Sequence, residues 1–139
     1  MSSSQPLEGV LLDANVVLRY LTNEPPEMAG RSLALLERAE RGELRLILTP
    51  LVLAECVWVL KSFYKLPLAR ISEALQQVFE LGGVTTQQRP VISAALISMA
   101  QHNVDFTDAY LAELARAEGL SVASFDQDFS KLSVTLVSI

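Results

Sequence analysis

The 139-residue chain is half hydrophobic and 19% charged, which is the usual size for one domain and enough apolar material for one packed core. Its 16 acidic and 11 basic residues leave a net charge of -5, the opposite of a general nucleic-acid binder's balance, so contact with a polyanion would need local basic patches or bound cations. One cysteine and one histidine exclude an internal disulfide and a Cys/His metal centre, and no uncharged apolar run reaches the length of about 18 residues that would suggest a membrane span.

The opening "MSSSQP" (1–6) has no basic start followed by an apolar stretch, so a loose tail is expected ahead of a single domain over 7–139, in a reducing cytoplasm. "LEGVLLDA" (7–14) reads as a buried strand ending at Asp13, and "NVVLRYL" (15–21) as a helix opened by Asn15. An Asp at that junction also suits a helix N-cap. "PEMAGRSLALLERAERG" (26–42) has helical spacing with Pro at its start and Gly at its end, and "RLILTP" (45–50) is a second strand stopped by Pro50.

The next helix, "PLVLAECVWVLKSFY" (50–64), carries Glu55 three and four residues from Leu51, Val52, Trp58 and Val59. On a core-facing stripe an ionised carboxylate without company costs several kcal/mol, so Glu55 is expected to be paired, protonated or bound to a metal. No basic residue lies within one turn of it. Its neighbour Cys56, among Val52, Leu53 and Val57, reads as a small core residue.

"PLARISEALQQVFELG" (67–82) and "RPVISAALISMAQHN" (89–103) are helices flanking a third strand, "GGVTTQ" (82–87), and His102 falls at the second helix's end. "DFTDAYLAELARAEG" (105–119) is a further helix, in which Asp105 and Asp108 allow an imperfect capping box. "LSVASFD" (120–126) and "SVTLVSI" (133–139) are read as fourth and fifth strands around the polar turn "SFDQDFS".

Strands alternating with helices predict an α/β fold, a three-layer α/β/α sandwich around a mainly parallel sheet of about five strands. Sites in such sheets form at the carboxyl ends of strands, where the strand order reverses. Asp13 falls on that rim, and Asp126 is expected on the same rim one strand further along. The apolar faces of 26–42 and 67–82 are expected to pack into the core. Clustered carboxylates would raise one another's pKa unless a cation were present. Oxygen-only donors point to Mg²⁺ or Mn²⁺, which keep room for a phosphate oxygen and an attacking water, and hence to phosphodiester hydrolysis.

Asp13 in "LLDANVVLRYL", Glu55 in "LVLAECVWVL", Asp108 in "DFTDAYLAELA" and Asp126 in "SVASFDQDF" resemble the four acidic motifs of the PIN domain, over 7–137 of the chain. The strongest likeness is to VapC-type toxins of prokaryotic toxin–antitoxin pairs. That resemblance implies a metal-dependent ribonuclease in which Asp13, Glu55, Asp108 and Asp126 hold Mg²⁺ or Mn²⁺. It also implies that Asp128 is an auxiliary acid, that Asn15 and Ser124 support the ligands, and that the partners are RNA, a small antitoxin and a second copy of the chain. Ala14 stands where many relatives carry Thr. Spacing leaves Asp105 and Asp108 open as ligands, and the "DAYLA" that begins at Asp108 follows the family's manner. Two other readings stand beside this one. An aspartyl-phosphate enzyme would favour a second Asp where Asn15 stands, and a non-catalytic module would use its acidic pocket to bind a basic partner segment.

Overall fold

The computed structural model describes residues 7–139, so the expected tail at 1–6 lies outside the described residues. Three short strands, β1 (Gly9–Leu11), β2 (Arg45–Ile47) and β3 (Val84–Thr85), form a sheet in the order β1-β2-β3. Both pairings are parallel, with Val10 opposite Leu46 and Leu46 opposite Val84. Leu46 and Leu48 lie on the central strand and just past it, fully buried. Each such leucine contributes about 1.5–3 kcal/mol through burial.

Parallel strands need crossovers, and helices supply them. Helices α1 (Ala14–Thr22) and α2 (Pro26–Glu40) join β1 to β2, and α3 (Pro50–Ser62) and α4 (Leu68–Glu80) join β2 to β3. After β3 come α5 (Arg89–His102), α6 (Phe106–Glu118) and a short 3₁₀ turn at Gln127–Lys131. All six helices begin and end within a few residues of the positions read from the sequence. Their punctuation explains the agreement. Thr49 caps α3 by accepting the Val52 N–H at 3.3 Å, Pro50 takes the first helical position, and Gly119 ends α6 in the left-handed conformation.

On α4, Ile71, Ser72, Leu75, Val78 and Phe79 form the buried stripe, as a 3.6-residue period requires. Helices α5 and α6 pack extensively, and α6 turns Ala109, Ala112 and Ala115 to the core, small residues that allow close approach. Gln76 and Ser93 tie α4 to α5 through reciprocal hydrogen bonds at 3.0 and 3.1 Å. The turn into β3 runs against α2. There Gly83 has φ +85°, and a Cβ on it would collide with the Ala39 carbonyl.

Three expectations are corrected. The fourth and fifth strands do not form. Residues 120–126 and 133–139 meet at one isolated parallel bridge, Val122 to Leu136, held by two 2.9 Å backbone bonds. Five strands therefore become three among the described residues, and the sheet order contains no reversal. Asp126 consequently lies in a loop and not at a strand end. The physical reason is that these segments pair chiefly with each other and with α6. Arg116 donates to the Ser133 carbonyl at 2.7 Å, and Phe129 and Leu132 sink into the core.

Candidate functional site

The site is assembled from positions that begin or end elements. Leu12 extends the β1 ladder by donating to the Ile47 carbonyl at 2.9 Å, which carries the next residue, Asp13, to the rim. There Asp13 caps α1, its Oδ2 accepting the Asn15 N–H at 3.3 Å. The capping expectation and the site expectation therefore fall on one side chain. The end of β2 feeds α3 through Thr49 and Pro50, placing Glu55 in its second turn.

Glu55 is exposed, which corrects the expectation of a buried carboxylate. The core stripe of α3 is Leu53, Cys56, Val57 and Leu60, whereas Leu51 (81% exposed) and Trp58 (67%) share the solvent side with Glu55. The helix is apolar on both sides, so the sequence could not tell the buried face from the open one. Glu55 forms no ion pair or side-chain hydrogen bond among the described residues.

Asp105 takes the N-cap position of α6 but makes no side-chain capping bond. It pairs instead with Lys61 of α3 at 3.4 Å, so the capping box is not formed. One turn into α6, Asp108 is half-buried and faces the Asp126 loop. That loop is held by its own polar groups. Ser124 Oγ accepts the Asp126 N–H at 2.9 Å, and Asp126 Oδ1 accepts the Asp128 N–H at 2.9 Å, capping the 3₁₀ turn.

Asp108, Asp126 and Asp128 bring carboxylate oxygens within 4.8 Å of one another. The Asp108 carboxyl is pushed from 3.8 up to about 6 by burial, then by the charges of Asp126 and Asp105, a hydrogen bond with Asp126 and the charge of Asp128. A carboxyl pushed up by burial and by neighbouring negative charge is the situation that a divalent cation relieves. The donors are oxygens only, which suits Mg²⁺ or Mn²⁺ better than zinc. Lys131 offers partial compensation, reaching Asp128 at 3.4 Å. The three-residue spacing of this pair is a signal visible in the sequence.

Asp13 and Glu55 are not in that trio. They act on Cys56, whose thiol is pushed up to about 12 by burial first and then by the charges of Glu55 and Asp13. The candidate residues therefore fall into two sets, Asp108, Asp126 and Asp128 on one side and Asp13 with Glu55 around Cys56 on the other. A cavity of about 360 Å³ lies between α3 and the start of α6, and Trp58, Lys61, Thr107 and Asp108 are in its wall. Trp58 and Thr107 are not among the candidates read from the sequence, where Trp58 falls on the expected core stripe and Thr107 carries no signal. His102 ends α5 in the open, away from the trio, as expected of a helix-end residue.

The PIN domain family matches residues 10–134. A search of curated proteins finds no match. Among solved structures, PAE2754 from Pyrobaculum aerophilum aligns over 94% of this chain and 83% of its own, with 17% identity and a TM-score of 0.33.

Proposed function

The chain belongs to the PIN domain family of nucleases, and from that premise we propose that it is a divalent-metal-dependent endoribonuclease, the toxin of a VapBC-type pair. The observation that carries the reading is the Asp108, Asp126 and Asp128 trio, three oxygen donors within 4.8 Å and short of positive charge. In this reading Asp108 and Asp126 hold Mg²⁺ or Mn²⁺, and Asp13 and Glu55 complete the donor set. Asp128, tied to Lys131, serves as the auxiliary acid. When bound, the ion supplies positive charge for the phosphate and makes an attacking water easier to deprotonate.

The protein's own part is positioning. Ser124 fixes the backbone of Asp126, and Asp126 fixes that of Asp128, so the two carboxylates are oriented before substrate arrives. The Asn15 N–H restrains Asp13 in the same way. No helix of the described residues is long and apolar enough to cross a membrane. A cytoplasmic enzyme that meets RNA, works as a homodimer and is silenced by a small antitoxin fits this reading. An antitoxin Arg entering the acidic site would replace the cation.

The test is cleavage of RNA by purified protein with Mg²⁺ or Mn²⁺, its loss in EDTA, and its loss in Asp126→Asn. The net charge of -5 favours a second reading, a non-catalytic module that binds a basic segment. Metal-bound protein that binds such a peptide tightly and cleaves no RNA would replace the first reading with the second.

A further inference from the structure

Trp58 is the only tryptophan of the chain, and it stands 67% exposed on α3, three residues after Glu55. Its ring walls the cavity of about 360 Å³ that Asp108 also enters, with Lys61 and Thr107 beside it. A large aromatic side chain in the wall of a cavity that Asp108 also lines offers a flat face on which a planar ligand can stack beside that carboxylate. Indole stacks on the face of any nucleobase, and a nearby ammonium suits the phosphate that follows.

We propose that Trp58 is a stacking platform for an RNA base next to the scissile phosphate, with Lys61 reaching the neighbouring phosphate. The inference rests on the ribonuclease reading and adds the residue that seats the substrate. A nucleobase fits this wall better than a second copy of the chain does. Glu55 interrupts the apolar residues Leu51 and Trp58, and the cavity holds Asp108 and the Lys61–Asp105 pair at 3.4 Å. A protein seam would have to bury those charges, whereas a stacked base covers one ring and leaves them wet. Stacking is tolerant of base identity, so Trp58 sets position and contributes little to sequence choice.

Because Trp58 is the single tryptophan, its fluorescence reports this ring alone. The full chain in EDTA, where no cleavage occurs, is titrated with a mixed-sequence single-stranded RNA of about ten nucleotides, long enough to cover one groove. Saturable quenching is expected. With Mn²⁺ present, Trp58→Ala should raise KM by about tenfold or more with kcat little changed, and Trp58→Phe should restore most of the loss. Absence of quenching together with an unchanged KM in Trp58→Ala overturns the proposal while leaving the ribonuclease reading intact. So does a Trp58→Ala variant that sediments as a monomer where the wild type is a dimer, with KM for RNA unaltered. Wild-type protein that neither cleaves RNA nor is quenched by it removes both readings together.

Discussion

Replacing Asp108 with Asn should stabilise the metal-free protein and abolish its activity. Folding raises the Asp108 carboxyl from 3.8 to about 6, so between those values the native state holds a proton that the unfolded state releases. The group's favourable contribution is therefore present below pH ~4 and is lost as pH rises through about 6. Taken at face value the rise is worth about 3 kcal/mol. Asp108 is only partly buried, and solvent screening reduces the figure to about 1 kcal/mol. Asn keeps the shape and carries no charge. Its advantage should appear at pH ~7.5 as a melting temperature about 3 °C above wild type, for a domain of this size. At pH ~3.5, where the wild-type carboxyl is largely neutral in both the folded and the unfolded state, the two proteins should melt together. The assay is thermal denaturation in EDTA at both pH values, with RNA cleavage in Mn²⁺ measured on the same preparations. An Asn variant no more stable than wild type at pH ~7.5, or equally favoured at pH ~3.5, would refute the argument that burial and repulsion in the trio perturb Asp108.

Three further outcomes are expected. Mn²⁺ at about 100 times its Kd should add ~2.7 kcal/mol, on the order of 8 °C, with a smaller shift in Asp126→Asn and weaker binding below pH ~6, where Asp108 must first give up its proton; equal shifts in both proteins would remove Asp126 from the donor set. Asp13→Asn should melt within about 0.5 kcal/mol of wild type, because Asn caps as well as Asp, yet lose cleavage, and an active variant would reduce Asp13 to a cap alone. Gly83→Ala should cost about 3 kcal/mol in urea denaturation, combining strain at φ +85° with displacement of the Ala39 backbone, while its folded fraction cleaves normally; a loss under 1 kcal/mol would mean that the α2 contact yields.

The helices were legible because each carries its own stop signals. Pro50, Pro90, Asn103 and Gly119 all stand where an element begins or ends. The last two strands were over-read because alternation along "LSVASFD" and "SVTLVSI" marks extended chain without saying what it pairs with, and here the partner is mostly the other segment. Glu55 shows a different limit. Its apolar neighbours suggested a greasy interior, yet Leu51 and Trp58 face water, since hydrophobicity on all sides of a helix carries no direction. The ion pairs of Asp105 with Lys61 and Asp128 with Lys131 differ in the same way. The second is local and readable, whereas the first joins residues 44 positions apart and exists only through the packing of α3 on α6.

Cys56 gives the molecule a built-in clock. Its thiol is fully buried and pushed up to about 12 by that burial and by Glu55 and Asp13, so almost no thiolate exists at neutral pH to meet an alkylating reagent or a peroxide. Modification must wait until α3 lifts from the core. Since this is the only cysteine, labelling that outpaces reclosing counts those openings, and it does so at a thiol that feels the charges of Glu55 and Asp13. Under conditions where reclosing outpaces labelling, the labelling rate gives the free energy of the opened form. Oxidation of this thiol therefore depends on the fraction of time its helix spends open.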